Sequence, residues 1–143
     1  MNADLRFEIL TEKYIAEIAV LGWQLNPKLS TEQLEQYLKE MFLFPTYRCF
    51  GVFQNNKLVG ISSGWITVRF YSGKQLEVDN VVIDSEIQSK GIGAKFFEYI
   101  EDWAKKNDCK NVELNAYVSN AKAHKFYFRN GYWIMGFHFV KGL

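Results

Sequence analysis

The stretch Gln88-Ser89-Lys90-Gly91-Ile92-Gly93-Ala94 stands between an apolar, strand-like run from Leu76 to Ile83 and a helix-like run from Ile92 to Lys106. Two glycines at this spacing let a backbone approach a ligand closely, because neither carries a Cβ. The turn they form delivers unpaired N–H groups to the start of a helix, where the aligned peptide dipoles favour negative charge. The stretch therefore reads either as a cradle for an anion, such as a phosphorylated ligand, or as a plain tight turn from strand to helix. Its surroundings have to decide.

On the C-terminal side, Ile92, Phe96, Ile100 and Trp103 recur at spacings of four, four and three, which predicts a helix with one apolar stripe against a sheet. Val112, Leu114 and Ala116 alternate with Glu113, Asn115 and Tyr117, predicting a strand over Lys110 to Val118. With the helix as a right-handed crossover, that strand runs parallel to its predecessor. Asn120 to Asn130 reads as a short helix with Ala123, Phe126 and Tyr127 on one face and Asn130-Gly131 as its stop. A last aromatic strand is expected over Tyr132 to Val140.

On the N-terminal side, Leu5, Phe7 and Ile9 alternate with polar neighbours as in a half-buried strand. Thr11 is expected to cap a helix that ends near Gly22, before an interrupting Trp23 to Pro27 segment. Ser30-Thr31-Glu32-Gln33 has the form of a capping box ahead of a second helix, which stops before Pro45. Cys49 to Phe53, a turn at Asn55-Asn56, Leu58 to Phe70, a turn at Ser72-Gly73 and Leu76 to Ile83 then form a meander, with Gly60 and Gly64 as bulge or bend positions. The resulting order, β-α-α-β-β-β-α-β-α-β, predicts one α/β domain over residues 1–143 with a mixed, mostly antiparallel sheet flanked by about four helices.

At 143 residues, the chain has the size of one domain with a full core. A net charge of +1 excludes a global bias toward nucleic acid or an acidic membrane. Cys49 and Cys109 form no Cys-x-x-Cys motif and lie near no histidine cluster, so both are expected to be buried free thiols, with neither a disulfide framework nor a metal site. No run approaches a membrane span and Met1 to Leu10 lacks the pattern of a signal peptide, so a cytoplasmic location is expected.

Two phosphate-binding motifs fail on inspection. A dinucleotide fingerprint would need glycine where Phe96 stands, and a P-loop would need Gly-Lys-Ser/Thr where the chain has Ala94-Lys95-Phe96. The Gln88-to-Ala94 stretch instead resembles the Gln/Arg-x-x-Gly-x-Gly/Ala acetyl-CoA signature of the GNAT superfamily of N-acetyltransferases, in the same strand-loop-helix context. Asn120-Ala121-Lys122-Ala123-His124-Lys125-Phe126-Tyr127, continuing to Gly131-Tyr132, is similar to that family's Asn-x-x-Ala-x-x-Phe-Tyr segment.

The resemblance implies a set of roles. Gln88 and the backbone of Ser89, Lys90, Gly91, Ile92, Gly93 and Ala94 would hold the pyrophosphate of acetyl-CoA. Val81, Val82 and Ile83 would offer backbone groups to the pantetheine arm, with N–H groups of Val81 and Val82 stabilising the oxyanion. Asn120 and Tyr127 would contact the cofactor near its sulfur, and Ala123 and Phe126 would pack along the arm. Tyr127 is the candidate general acid, because a phenol with a reference pKa of about 10 is protonated at neutral pH and can donate to a departing thiolate. Glu77 and Asp79 alternate in the same strand and are both candidates for the general base. His124 and His138 read as polar surface residues.

The implied activity is transfer of the acetyl group of acetyl-CoA to a primary amine of a small molecule or peptide, by direct attack in a ternary complex and without a metal. The alternative is a non-catalytic acyl-CoA-binding or sensing module. The final-strand aromatics could serve as the edge of a homodimer.

Overall fold

The computed structural model describes residues 4–87 and 91–143. Alternating side chains build β1 (Leu5–Leu10), which lies antiparallel to β2 (Tyr47–Gln54), with Leu5 opposite Gln54 and Leu10 opposite Cys49. β3 (Lys57–Arg69) returns from a two-residue turn in which Asn55 and Asn56 have φ of 50° and 66°. Asparagine tolerates this left-handed conformation, which a tight hairpin requires at both central positions. β4 (Gly73–Ile83) completes the antiparallel meander, and β5 (Val112–Leu114) closes the sheet in the order β1-β2-β3-β4-β5. The Lys110 N–H donates to the Lys74 carbonyl and the Leu76 N–H to the Asn111 carbonyl, so the bonds climb both chains in the same direction and the sheet is mixed.

Among the described residues, four α-helices accompany the sheet: α1 (Ile15–Leu25), α2 (Thr31–Phe42), α3 (Ile92–Lys106) and α4 (Ala121–Arg129). The Ser30 hydroxyl accepts the Gln33 N–H at 3.1 Å, the expected cap of α2. Two expectations at α1 need correction. Thr11 makes no side-chain cap and precedes a 3-10 turn, Glu12–Tyr14. The helix also runs through Gly22 to Leu25, because Gly22 does not take the left-handed conformation of a stop and its carbonyl accepts the Asn26 N–H at 3.0 Å. Trp23, Gln24 and Leu25 therefore form the last turn of α1.

The chain divides into two compact units, Met1–Glu113 and Leu114–Leu143. In the first, the sheet is packed on both faces. Leu10, Ile18, Leu38, Phe53 and Ile61 belong to a buried cluster on the side of α1 and α2. On the side of α3, Phe50, Leu76, Phe96 and Ile100 are fully buried, and the rings of Phe50 and Trp103 meet edge to face at 5.2 Å. Gly60 and Gly64 are sites of close approach rather than the bulges themselves: a Cβ on Gly60 would stand 2.5 Å from Ile83 Cδ1, and one on Gly64 2.7 Å from the Phe50 ring. The register shifts fall beside Gly60, between Val52 and Phe53 of β2, and between Ile61 and Ser63 of β3.

In the second unit, α4 ends at Gly131, whose φ of 90° supplies the left-handed stop expected after Asn130. The expected strand over Tyr132 to Val140 is absent among the described residues, and β5 spans only Val112–Leu114 rather than Lys110 to Val118. A strand is defined by its ladder, and alternation predicts one only when a neighbouring strand is there to pair. Here both alternate sets are largely apolar and uncovered, Trp133, Met135, Phe137 and Phe139 on one parity and Ile134 and Val140 on the other. Cys49 is buried as expected, whereas Cys109 is only half-buried; both are free thiols.

Candidate active site

The register of β3 on β4 places Ser63 opposite Asp79 and Ile61 opposite Val82, so Asn80 and Val81 together face the single residue Ser62. This is a β-bulge, the device that bends a strand and re-aims its remaining residues. Asn80 carries its strain with φ of 50°, and its N–H donates to Asp79 Oδ1 at 2.8 Å. Asn80 Nδ2 donates to Ser63 Oγ at 3.4 Å, and that hydroxyl is 2.8 Å from the buried Tyr47 hydroxyl. Burial, then the neighbouring Cys49 thiol, push the Tyr47 phenol above its ordinary range, so it stays neutral. Tyr47 and Ser63 are not legible in the sequence as site residues, because they come from other strands and only the register brings them to Asn80. Past the bulge, Val82 is buried in the core while Val81 and Ile83 are half-buried.

Beside this end of β4 lies a groove of about 480 Å³, walled by Trp23, Gln24, Leu25 and Pro27 on one side and by Val81 to Ile83 and Ser85 on the other. Gln24 Oε1 accepts the Ser85 N–H at 3.0 Å, and its Nε2 donates to Asp84 Oδ1 at 3.4 Å. Sequence alone does not single out Gln24, because Gly22 suggests that the helix ends before reaching it.

The chain leaves β4 through a 3-10 turn, Ser85–Ile87, and α3 starts after Gly91. Gln88, Ser89 and Lys90 lie outside the described residues. Gly91 has φ of 75° and, as the N-cap residue, offers no side chain to the helix. The amides of Ile92, Gly93 and Ala94 thus begin a 15-residue helix whose positive dipole end carries no acidic residue in the first turn. Ile92 is buried, and Gly93 and Ala94 are half-buried.

The two candidate bases share a face, since Glu77 pairs with Trp65 and Asp79 with Ser63, two residues apart on both strands and ahead of the bulge. Their surroundings differ. Glu77 Oε1 accepts from Arg69 Nη2 at 2.7 Å and from Gln75 Nε2 at 3.2 Å, whereas Asp79 is exposed and holds the Asn80 N–H. A third carboxylate, Glu113, accepts the Tyr71 hydroxyl at 2.7 Å, and that bond raises the Tyr71 pKa. Among the described residues, no group of three His, Cys, Asp or Glu side chains is placed to hold a metal ion.

In the second unit, Asn120 caps α4, its Oδ1 accepting the Ala123 N–H at 3.1 Å. Phe126 and Tyr127 meet edge to face at 5.4 Å, and Tyr127 meets Tyr132 at 5.7 Å. Burial raises the Tyr127 pKa, which keeps the phenol protonated, the state an acid must have. A ring N–H of His124 donates to the Tyr117 carbonyl at 2.9 Å, tying the helix to the turn before it.

A five-stranded mixed sheet with a bulge in β4, a groove at that strand's end and a helix opening at Gly91 make up a fold shared with solved N-acetyltransferases. Residues 13–132 match the Acetyltransferase (GNAT) family, and the chain belongs to that family. It is similar to the uncharacterized N-acetyltransferase YhdJ of Bacillus subtilis (strain 168), 26% identical over 120 residues that make up 84% of each chain. It is also similar to the aminoalkylphosphonate N-acetyltransferase of Salmonella typhimurium, 25% identical over 91 residues, 63% of this chain and 59% of that one. Its fold matches that of the aminoglycoside N-acetyltransferase AAC(6')-Iy, solved in complex with CoA, with a TM-score of 0.88 at 10% identity, covering 100% of this chain and 97% of that one. No described helix is long and apolar enough to cross a membrane.

Proposed function

We propose that this protein transfers the acetyl group of acetyl-CoA to a primary amine of a small molecule or peptide. The observation that carries the reading is the groove along Val81–Ile83, placed ahead of a helix start opened by the left-handed Gly91. An extended pantetheine arm fits a groove beside a strand end, and a pyrophosphate fits a helix N-terminus that opens on a glycine. Gln88 to Ala94 would hold the phosphates, and Val81, Val82 and Ile83, with Asn120, Ala123 and Phe126 from the second unit, the arm and its sulfur. The relatives' names point to amines on an aminoalkylphosphonate and on an aminoglycoside, which supports a small amine acceptor.

In this reading, the neutral amine nitrogen attacks the thioester carbonyl carbon, the C–N bond forms and the C–S bond breaks. Backbone N–H groups at Val81 and Val82 receive the charge that develops on the carbonyl oxygen. The Tyr127 hydroxyl gives its proton to the departing sulfur, and the proton that the attacking nitrogen sheds as the amide forms restores the phenol through solvent. Asp79 takes the proton from the ammonium, directly or through water; it is favoured over Glu77 because Glu77 already neutralises Arg69. The family match crosses the boundary between the two units, which supports treating residues 1–143 as one catalytic domain. A cytoplasmic protein with two free thiols and a homodimer formed through the exposed Trp133–Val140 side chains belong to the same reading.

Thiol release from acetyl-CoA tests it, measured against a panel of aminoalkylphosphonates, aminoglycosides, polyamines, amino-acid derivatives and peptides with free N-termini. Acceptor-dependent release with at least one class is expected. Tight CoA binding with no release on any acceptor would replace the enzyme with an acyl-CoA-sensing module.

A further inference from the structure

We propose that Gln24 is a positioning residue whose side-chain amide braces the groove beside β4, fixing its width for the pantetheine arm. The inference rests on the cofactor reading above. Gln24 and Ser85 stand on opposite walls of the groove and are bonded to each other at 3.0 Å, so the bond spans the space between α1 and the end of β4. The rest of the lining is apolar: Trp23, Leu25, Pro27 and Val81 to Ile83.

Asp84, the other partner, is a fixed node. Its N–H donates to the Val59 carbonyl at 2.8 Å, its carbonyl accepts the Ile87 N–H at 3.0 Å, and its buried carboxylate accepts the Glu86 N–H at 3.1 Å. Gln24 thus joins α1 to a turn already anchored on β3, the last described turn ahead of Gln88. The helix reaches this node only because it continues one turn past Gly22.

The chemistry demands an amide. One atom must accept from the Ser85 N–H while the other donates to a carboxylate, and glutamine does both. An ionised glutamate would still accept from Ser85 but would set a second negative charge against Asp84. Methionine, of similar length, does neither. Gln24 itself is exposed, so its removal opens no cavity and leaves the core intact.

The test measures CoA affinity by calorimetry for the wild type, Gln24→Met and Gln24→Glu, at pH 5 and pH 8, together with the thermal midpoint and hydrogen exchange at the Ser85 amide. For Gln24→Met we expect about five- to tenfold weaker CoA binding at both pH values, as for two lost hydrogen bonds. The midpoint should hardly move, and exchange at Ser85 should accelerate. For Gln24→Glu, the deficit should be large at pH 8 and smaller at pH 5, nearer the reference carboxylate pKa of about 4.3, where a protonated fraction can again donate to Asp84. CoA affinity within twofold of wild type for Gln24→Met, or a Gln24→Glu deficit that ignores pH, overturns the brace while leaving the cofactor reading intact. A wild type that binds no CoA overturns both.

Discussion

The first unit packs its sheet on both faces, and the groove beside β4 is built on that packing, whereas in the second unit α4 buries no residue completely and ends in a run of uncovered rings. The proposed chemistry is divided along the same line. The groove, the bulge and the start of α3 belong to the well-packed unit, and the candidate acid, Tyr127, belongs to the lightly packed one. The contrast teaches that the proposed donor site can be fixed by core packing, while the candidate proton donor rides on an element with little packing of its own. Stability and turnover should therefore respond to different residues.

The sharpest way to break that contrast is truncation on each side of it. Phe50→Ala removes a fully buried ring held between β2 and α3 and is expected to cost about 3–5 kcal/mol in urea unfolding. Phe137→Ser, at a side chain 87% exposed, should stay within about 0.5 kcal/mol in a monomer. If Phe137→Ser instead destabilises strongly and the wild-type midpoint rises with protein concentration, the aromatic run is covered by a second copy, as the homodimer reading requires.

Next in size is Tyr127→Phe. Losing a general acid should lower kcat about 10²-fold while CoA affinity stays within twofold of wild type. Because burial raises the Tyr127 pKa, the wild-type rate should show no alkaline limb from this group until above about pH 10. An unchanged kcat in the variant removes the acid role and leaves Tyr127 as packing for Phe126 and Tyr132.

A smaller effect probes the first unit alone. Burial pushes the Cys49 thiol up from 9.0 to about 12, with the Tyr47 hydroxyl pulling the other way. A group whose folded pKa is raised contributes stability that is complete below its unfolded value and is lost as pH rises toward the folded one. The wild type should therefore lose up to about 1.4 kcal/mol per pH unit on this account above pH 9. In Cys49→Val, the loss between pH 9 and 10 should shrink to what Cys109 contributes, a half-buried thiol that burial also raises, and it should steepen again above about pH 10, where the neighbouring Tyr47, raised as well, takes over. Unfolding free energies measured from pH 8 to 11 check this.

Features set by neighbours along the chain are the ones a sequence discloses. The period of Leu5, Phe7 and Ile9, the Ser30 cap and the stripe of Ile92, Phe96 and Ile100 are of this kind, and each is legible. The Gly91 turn is legible for the same reason, as is the shared face of Glu77 and Asp79. The bulge at Asn80, the Tyr47–Ser63 pair and the Gln24 brace depend on register and on contacts some 16 to 61 residues apart, which composition does not encode. Gly22 misleads because glycine permits a helix stop without imposing one. Tyr132 to Val140 misleads because alternation describes a strand's faces and says nothing about a partner for its edges.

The finest distinction lies at the seam between scaffold and ligand, at Gly91. Its φ of 75° disfavours any side chain by about 1–2 kcal/mol, yet a Cβ built there meets no atom of the described residues within 4 Å. Gly91→Ala should therefore lower stability by about 1 kcal/mol through backbone conformation alone, and weaken CoA binding a few fold as the start of α3 shifts. Gly91→Asn separates the two causes, because asparagine tolerates the left-handed region but still carries a Cβ. If asparagine restores both stability and CoA affinity, the glycine serves the turn. If it restores stability and leaves CoA binding weak, the space in front of Gly91 is itself needed by the phosphates, and the helix start is a contact surface rather than only a well-formed turn.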